Sequence, residues 1–279
     1  MSIVINTSAE LEALISKYKH QSKSIGFVPT MGGLHQGHLS LVSKAKRKAE
    51  IVVVSIFVNP TQFGAGEDLD KYPQTFERDK QLLDEQGVDV IFAPTGDEIY
   101  PQGLESDVEP GELANILCGA SRPGHFKGVV QVVKRLFELV RPDVAVFGEK
   151  DYQQLMIIKA MVKRYQLPVH IESGAIVREP SGLAMSTRNQ YLTESEKETA
   201  AKLYQLMKKT QQRLQSGQSV ANAKAQAQRT LSEYFQVDYV EILDANTLRQ
   251  TTDTSQRIAI LCAVFLGSTR LIDNLIFGR

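Results

Sequence analysis

Apolar residues alternate along the first two thirds of the chain between two rhythms. Ile25 to Val28 and Ile51 to Val58 are short, nearly continuous apolar runs, and the second is β-branched almost throughout. Runs that are apolar on both faces belong in a parallel sheet covered by helices on both sides. Between them Leu39, Val42, Ala45 and Ala49 recur at helical spacing, which predicts a strand-helix-strand unit. A helix follows from about Thr75 to Gln86 with Gly87 as its stop, and Val88 to Phe92 is the next strand. Val129, Val132, Val133, Leu136 and Val140 predict a helix that ends at Arg141, before Pro142. Val144 to Phe147 reads as a strand. Leu155, Ile158, Val162 and Tyr165 mark the helix after it, and Pro168 to Val177 begins as a strand. The stretch from Pro94 to Leu117 is richer in Gly, Pro and acids, and its pattern assigns no element.

The rhythm changes after residue 183. Thr193-Glu-Ser-Glu196 is a capping box that opens a long helix with Ala200, Leu203, Met207 and Leu214 inward. Ser216 to Ser219 is a turn, and a second helix runs to about Phe235. Three strands follow, Val237 to Leu243, Arg257 to Leu266 and Leu271 to Phe277. Strands alternating with helices imply an α/β fold, a Rossmann-like doubly wound parallel sheet, here over residues 1–183. Helices followed by successive strands imply a smaller α+β domain over residues 184–279.

Composition adds exclusions. The 279 residues suit one large or two unequal domains, and 42% hydrophobic with 23% charged residues is ordinary globular composition. Lys plus Arg and Asp plus Glu are both 32, so the basic excess of a nucleic-acid or anionic-membrane binder is missing. The one local basic run, Lys44 to Lys48, reads as a solvated helix face. Cys118 and Cys262 form neither a disulfide framework nor a zinc pattern. The N-terminus shows no signal-peptide pattern, and the longest apolar runs fall short of the roughly 20 residues a membrane helix needs. The expectation is a cytoplasmic protein with neither nucleic acid nor membrane as a partner.

The chemistry-bearing residues follow the strands. Pro29-Thr-Met-Gly-Gly-Leu-His-Gln-Gly-His38 follows the first strand and Asn59-Pro-Thr-Gln-Phe63 the second. Gly148-Glu-Lys-Asp-Tyr-Gln-Gln154 and Ser181-Gly-Leu-Ala-Met-Ser-Thr-Arg-Asn189 follow later ones. Ligands of open α/β sheets bind at the carboxyl edge, so the four motifs are expected to converge there. Gly32 and Gly33 let the backbone turn and approach a ligand closely. His35 and His38, three apart with Gly37 between them, are expected to share a helix face at a helix start that favours an anion such as phosphate. Two imidazoles there can donate to phosphate oxygens. Zinc is the weaker reading, because a nearby third ligand is missing. Capping or packing histidines are the other reading, which the flanking glycines disfavour.

The spacing is neither a Walker loop nor Gly-x-Gly-x-x-Gly. It resembles the His-x-Gly-His signature of the nucleotidylyltransferase superfamily, shared with class I aminoacyl-tRNA synthetases. Ala184-Met-Ser-Thr-Arg188 resembles the synthetases' second phosphate loop, in which Ser186 offers a hydroxyl and Arg188 a guanidinium fork. The whole set, with Val58-Asn-Pro-Thr-Gln-Phe63, Arg122-Pro-Gly-His-Phe126 and Phe147-Gly-Glu-Lys-Asp151, resembles the pantothenate synthetase (pantoate–β-alanine ligase) family from about residue 20 to 190. Thr187 stands where that family usually has a second Ser. Gln131 and Arg135 also depart from its commonest residues, outside the motifs.

The resemblance implies an AMP-forming ligase. Pantoate attacks the α-phosphorus of ATP to give pantoyl adenylate and pyrophosphate, and β-alanine then releases AMP to form pantothenate. It implies an ATP site of Met31, Gly32, Gly33, Leu34, His35, Gln36, Gly37, His38, Gly148, Glu149, Lys150, Asp151, Val177, Met185, Ser186, Thr187 and Arg188. His38, the family's assigned proton donor, acts with His35, Lys150 and Arg188 on the phosphates. Gln62 and Gln154 would hold pantoate, neutral amides that leave its carboxylate nucleophilic. Asp151 is open between the ribose and the β-alanine ammonium. Mg²⁺ is expected on the triphosphate with few protein ligands, Asp79 being a weak candidate contact, and no metal is expected to reside in the protein itself. A homodimer is also implied. The alternatives are a nucleotidylyltransferase that keeps the nucleotide on its product and a non-catalytic nucleotide-binding regulator. A tRNA synthetase is disfavoured by the neutral charge.

Overall fold

The computed structural model describes residues 1–104 and 107–278; Glu105 and Ser106, within the Gly-, Pro- and acid-rich stretch, and the terminal Arg279 lie outside it. The chain divides into two compact units. The first comprises residues 1–149 and 154–175, the second residues 150–153 and 176–279.

The elements before the last sheet run β1 (Ile3–Ile5), α1 (Ser8–His20), β2 (Ile25–Thr30), α2 (Gln36–Lys46), β3 (Ile51–Ile56), α3 (Phe76–Glu85), β4 (Val90–Phe92) and α4 (Gly96–Ile99). Then come α5 (Cys118–Ser121), α6 (His125–Val140), β5 (Val144–Gly148), α7 (Tyr152–Arg164) and β6 (His170–Gly174). Six strands form one sheet in the order β1-β4-β3-β2-β5-β6, every pairing parallel. The doubly wound expectation holds, and the sheet shows why the strands read as unbroken apolar runs. Val52 and Val54 pack with Leu39, Val42 and Ala45 of α2 on one face. On the other, Phe27 and Phe147 meet the edge of Phe137 of α6 at 6.2 and 6.3 Å. Ala49, taken above as part of α2, lies beyond its end at Lys46.

The second unit carries α8 (Glu194–Gln215), α9 (Val220–Ser232), β7 (Gln236–Asp244), β8 (Arg257–Leu266) and β9 (Thr269–Gly278). Its strands form an antiparallel sheet in the order β7-β8-β9. Ala200, Leu203 and Met207 of α8 and Ala223, Ala227 and Leu231 of α9 pack with Ile242, Ile258, Ile260 and Cys262 of this sheet. The predicted capping box is formed: the Thr193 hydroxyl accepts from the Glu196 N–H, and the Glu196 carboxylate accepts from the Thr193 N–H.

Candidate active site

β2 sits in the middle of the first sheet, and the strand succession changes direction on it, with β3 on one side and β5 on the other. A crevice opens at such a switch point, at the carboxyl ends of the strands. The chain that leaves β2 there is Met31 to His38. Gly32 and Gly33 have φ of 80° and 62°, the left-handed region where a Cβ would be strained.

Four consecutive backbone N–H groups of this turn are each held by a side chain. Gly32 donates to Thr30 Oγ1 at 3.2 Å, Gly33 to Asp79 Oδ2 at 2.8 Å, Leu34 to Asp79 Oδ1 at 2.8 Å, and His35 to His38 Nδ1 at 3.3 Å. Gly37 N–H then donates to His35 Nδ1 at 3.1 Å. His35 therefore lies outside the helix. It is the N-cap of α2, with φ −142° and ψ 176°, and only His38 is helical. This corrects the expectation of two histidines on one helix face. The rings meet by capping, with centroids 4.1 Å apart. Capping also fixes the chemistry. Each Nδ1 accepts a backbone N–H and carries no hydrogen, so each neutral ring has its proton on Nε2. The capping and phosphate readings, taken as rivals above, are thus compatible.

The chain leaving β3 makes a single tight turn at Pro60–Gln62. Asn59, 1% exposed, organises it. Its Oδ1 accepts from Thr61 Oγ1 at 3.0 Å and Tyr100 Oη at 2.8 Å, and its Nδ2 donates to Gln62 Oε1 and to the Gly128 carbonyl, both at 3.2 Å. Burial pushes the Tyr100 hydroxyl up, against hydrogen bonds to Thr61 and Asn59. Gln62 Nε2 donates to Met31 Sδ at 2.8 Å, so Gln62 and the glycine turn are brought together. The Gln62 carbonyl accepts from His125 Nδ1 at 2.7 Å and Arg122 Nη2 at 3.3 Å. Arg122, a donor only, also meets His125 Nε2 at 3.1 Å, which places the His125 proton on Nδ1. Arg122 pairs in addition with both oxygens of Glu67 at 2.6 and 2.5 Å. Burial opposes ionisation of Glu67, but the Arg122 guanidinium outweighs it and holds the carboxyl below the usual range. Burial likewise works against the Arg122 charge, and Glu67 outweighs it, so its guanidinium is pushed up. Asn59, Tyr100, Arg122 and His125 were not picked out as site residues from sequence. Gly128 was the signal that could have found them, a glycine inside an apolar helix pattern marking close backbone approach.

The other first-unit residues follow β5. Gly148 ends that strand, Glu149 Oε1 accepts from Ser173 Oγ at 2.7 Å, and Gln154 is half-buried in the first turn of α7. Gln62 and Gln154 thus follow β3 and β5, the strands on either side of β2.

The second unit holds Lys150, Asp151, Val177, Met185, Ser186, Thr187 and Arg188. The Lys150 carbonyl accepts from Asn274 Nδ2 at 2.9 Å. Lys150 Nζ and Asp151 Oδ2 are 4.0 Å apart, and the Asp151 side chain is half exposed. The Val177 carbonyl accepts from Met185 N–H at 3.0 Å. Ser186 Oγ caps the turn 187–191 by accepting from Arg188 N–H at 3.3 Å, while Thr187 is buried. The preceding loop is braced by Arg178, which pairs with both oxygens of buried Asp273, donates to the Gly182 carbonyl, and lies 3.7 Å over the Tyr204 ring. Among the described residues, no group of three or more His, Cys, Asp or Glu side chains is placed to hold a metal ion.

The chain matches the family model described as Pantoate-beta-alanine ligase over residues 3–276. It is 52% identical over 268 residues to the pantothenate synthetase of Vesicomyosocius okutanii, covering 96% of this chain and 95% of that protein. It is 51% identical over 272 residues to that of Ruthia magnifica, covering 98% of each. Its fold superposes on the crystal structure of pantothenate synthetase from Thermus thermophilus with a TM-score of 0.91 at 43% identity, covering 98% of each chain. A pantoate-beta-alanine ligase from Francisella tularensis, complexed with beta-gamma ATP and beta-alanine, gives 0.84 at 37% identity, covering 99% of this chain and 98% of that one.

Proposed function

The chain belongs to the pantoate-beta-alanine ligase family, and from that premise we propose how its own residues divide the reaction. The protein condenses pantoate with β-alanine at the expense of ATP, through pantoyl adenylate, with release of pyrophosphate and AMP. The nucleotidylyltransferase and regulator alternatives are set aside by that membership.

The observation that carries the residue assignment is the proton placement on His35 and His38. With Nδ1 of each ring taken by a backbone N–H, each offers an Nε2–H donor at the end of β2. Donors of this kind stabilise charge that grows on phosphate oxygens as the pantoate carboxylate attacks the α-phosphorus. Attack by a carboxylate needs no deprotonation, so neutral donors suffice. Met31 to His38 and Gly148 to Asp151 receive ATP, and Val177 offers backbone to the adenine. Met185, Ser186, Thr187 and Arg188 receive the polyphosphate, with Lys150 and Arg188 as its cations. Gln62 and Gln154 hold pantoate through neutral hydrogen bonds.

Mg²⁺ would arrive with the triphosphate and neutralise phosphate charge there. A homodimer and a cytoplasmic location complete the proposal. So does the functional division into a nucleotide- and pantoate-binding domain at 1–183 and a smaller domain at 184–279. No helix among the described residues is long and apolar enough to cross a membrane. The test is product analysis after mixing ATP, Mg²⁺, pantoate and β-alanine. Pantothenate and AMP in equal amounts are expected; ADP, or a nucleotide retained on the product, would refute the reading.

A further inference from the structure

Asp79 of α3 is fully buried. Its two carboxylate oxygens accept the Gly33 and Leu34 amides at 2.8 Å each, and Oδ2 also accepts from Thr75 Oγ1 at 3.1 Å. A Cβ built on Gly32 would lie 3.1 Å from Oδ2, so the carboxylate fills the space directly beneath the turn. Among the described residues, three donors and no cation face it. A carboxylate near a polyphosphate costs affinity by like-charge repulsion, so any benefit it brings lies in geometry.

We propose that Asp79 is a positioning residue for adenylate formation. It clamps the two central amides of the turn 32–35, and through them sets where His35 caps α2 and where both Nε2–H groups stand. The same contacts turn both oxygens toward the loop, away from the role of a ligand to the nucleotide's metal. The two left-handed glycines give the turn a wide range of conformations, and the paired amide-carboxylate bonds select one. Misplacing catalytic donors by about 1 Å costs on the order of 10²-fold in rate. The inference rests on the ligase reading above.

The experiment first establishes that reading on the wild type, by pantoate-dependent exchange of labelled pyrophosphate into ATP; absence of exchange there would count against the ligase and not against Asp79. The variant is Asp79→Asn, which turns one acceptor into a donor facing a backbone donor. We expect the kcat of exchange to fall by roughly 10–100-fold, with β-alanine attack on supplied pantoyl adenylate slowed less than about threefold. The Mg²⁺ concentration dependence of exchange stays as in the wild type. Equal loss in both half-reactions would reduce Asp79 to a structural role, and unchanged exchange would remove the role altogether. Recovery with excess Mg²⁺ would make it a metal ligand instead. If Asp79→Asn does not fold, Thr75→Val removes one donor and should show the same split at about 2–10-fold, the worth of one net hydrogen bond. No split in a folded Thr75→Val would overturn the proposal.

Discussion

On the proposed reading His38 does two jobs with two nitrogens, and substitution can separate them. Nδ1 caps α2 by accepting the His35 N–H, and Nε2–H is the donor assigned to phosphate. Asn places an oxygen near Nδ1, while Gln places an amide N–H near Nε2. We expect His38→Asn to keep the melting temperature close to the wild type while adenylation slows by roughly 10²–10³. His38→Gln should retain more of the adenylation rate but lose about 0.5–2 kcal/mol of stability with the cap. Single-turnover adenylation and thermal melts on both variants check this; two variants with identical profiles would refute the division. Much of this residue was legible in the sequence, since His-Gln-Gly-His fixes type and spacing. What was hidden is that His35 caps the helix. Histidine is not among the usual N-cap residues, so the pattern announces a helix start without naming its cap. The roles of Asn59 and Arg122 were hidden for a related reason. They hold the Gln62 turn partly through backbone carbonyls, Asn59 through that of Gly128 and Arg122 through that of Gln62, and such a bond leaves no mark on the partner's residue type.

At the scale of elements, α6 and the Pro60–Gln62 turn meet at Gly128. A Cβ there would lie 2.3 Å from the Thr61 carbonyl oxygen and 2.8 Å from the Gln62 nitrogen, so one of the two backbones would have to move. Gly128→Ala should cost about 1–3 kcal/mol by overpacking and, because Gln62, proposed to hold pantoate, rides on that turn, raise the KM for pantoate. A melt and a pantoate KM both equal to the wild type would show that the elements separate freely. A second tie joins α2 and the residues just past its end to β6. Lys44 and Lys48 reach Glu172 at 2.9 and 3.0 Å, so the basic run read as a solvated face in fact anchors partly on the neighbouring strand. Hydrogen bonds and charge from these lysines lower the Glu172 carboxyl from 4.5 to about 2. A carboxyl lowered on folding stabilises the protein above its unfolded value and loses that contribution as pH falls toward its folded value. The stability gap between wild type and Glu172→Gln should therefore be constant above about pH 4.5 and close toward pH 2. Urea melts across that range test it, and a gap that widens on acidification would contradict it. Besides the one-turn helices α4 and α5, β1 and α1 escaped the pattern. β1 is only three residues long, and α1 buries only Leu11 and Ile15. Yet α1 carries both signals used elsewhere: Thr7-Ser-Ala-Glu10 is a cap pattern like Thr193 to Glu196, with Glu10 N–H on the Thr7 hydroxyl, and Leu11, Leu14, Ile15 and Tyr18 stand at helical spacing.

For the whole molecule, periodicity told that the first sheet is parallel but not the order of its strands. Order is set by which helix faces fit together, information spread over many residues, so β2 at the centre is visible only in the fold. That position matters for the reaction. The strands carrying the histidine turn, Gln62 and Gln154 are neighbours, β3-β2-β5, and each ends at the same edge of the sheet. Pantoate held by the glutamines would thus be delivered beside the α-phosphate donors without any contribution from β-alanine. Cys118 and Cys262 are both buried, and burial pushes the Cys262 thiol far up, which removes it as a nucleophile. On the proposed reading the first half-reaction then needs only ATP, pantoate and Mg²⁺. At neutral pH a carboxylate and an ammonium form a salt, so the acyl carbon becomes reactive only after AMP is attached as a leaving group. We therefore expect labelled pyrophosphate to exchange into ATP when pantoate is present and β-alanine is absent. With pantoate labelled by ¹⁸O in its carboxylate, one labelled oxygen should appear in AMP after β-alanine is added. Exchange that appears only with β-alanine would replace the stepwise route with a concerted one. AMP free of label would mean that pantoate oxygen never attacks phosphorus, and the activation chemistry assigned to His35 and His38 would fall with it.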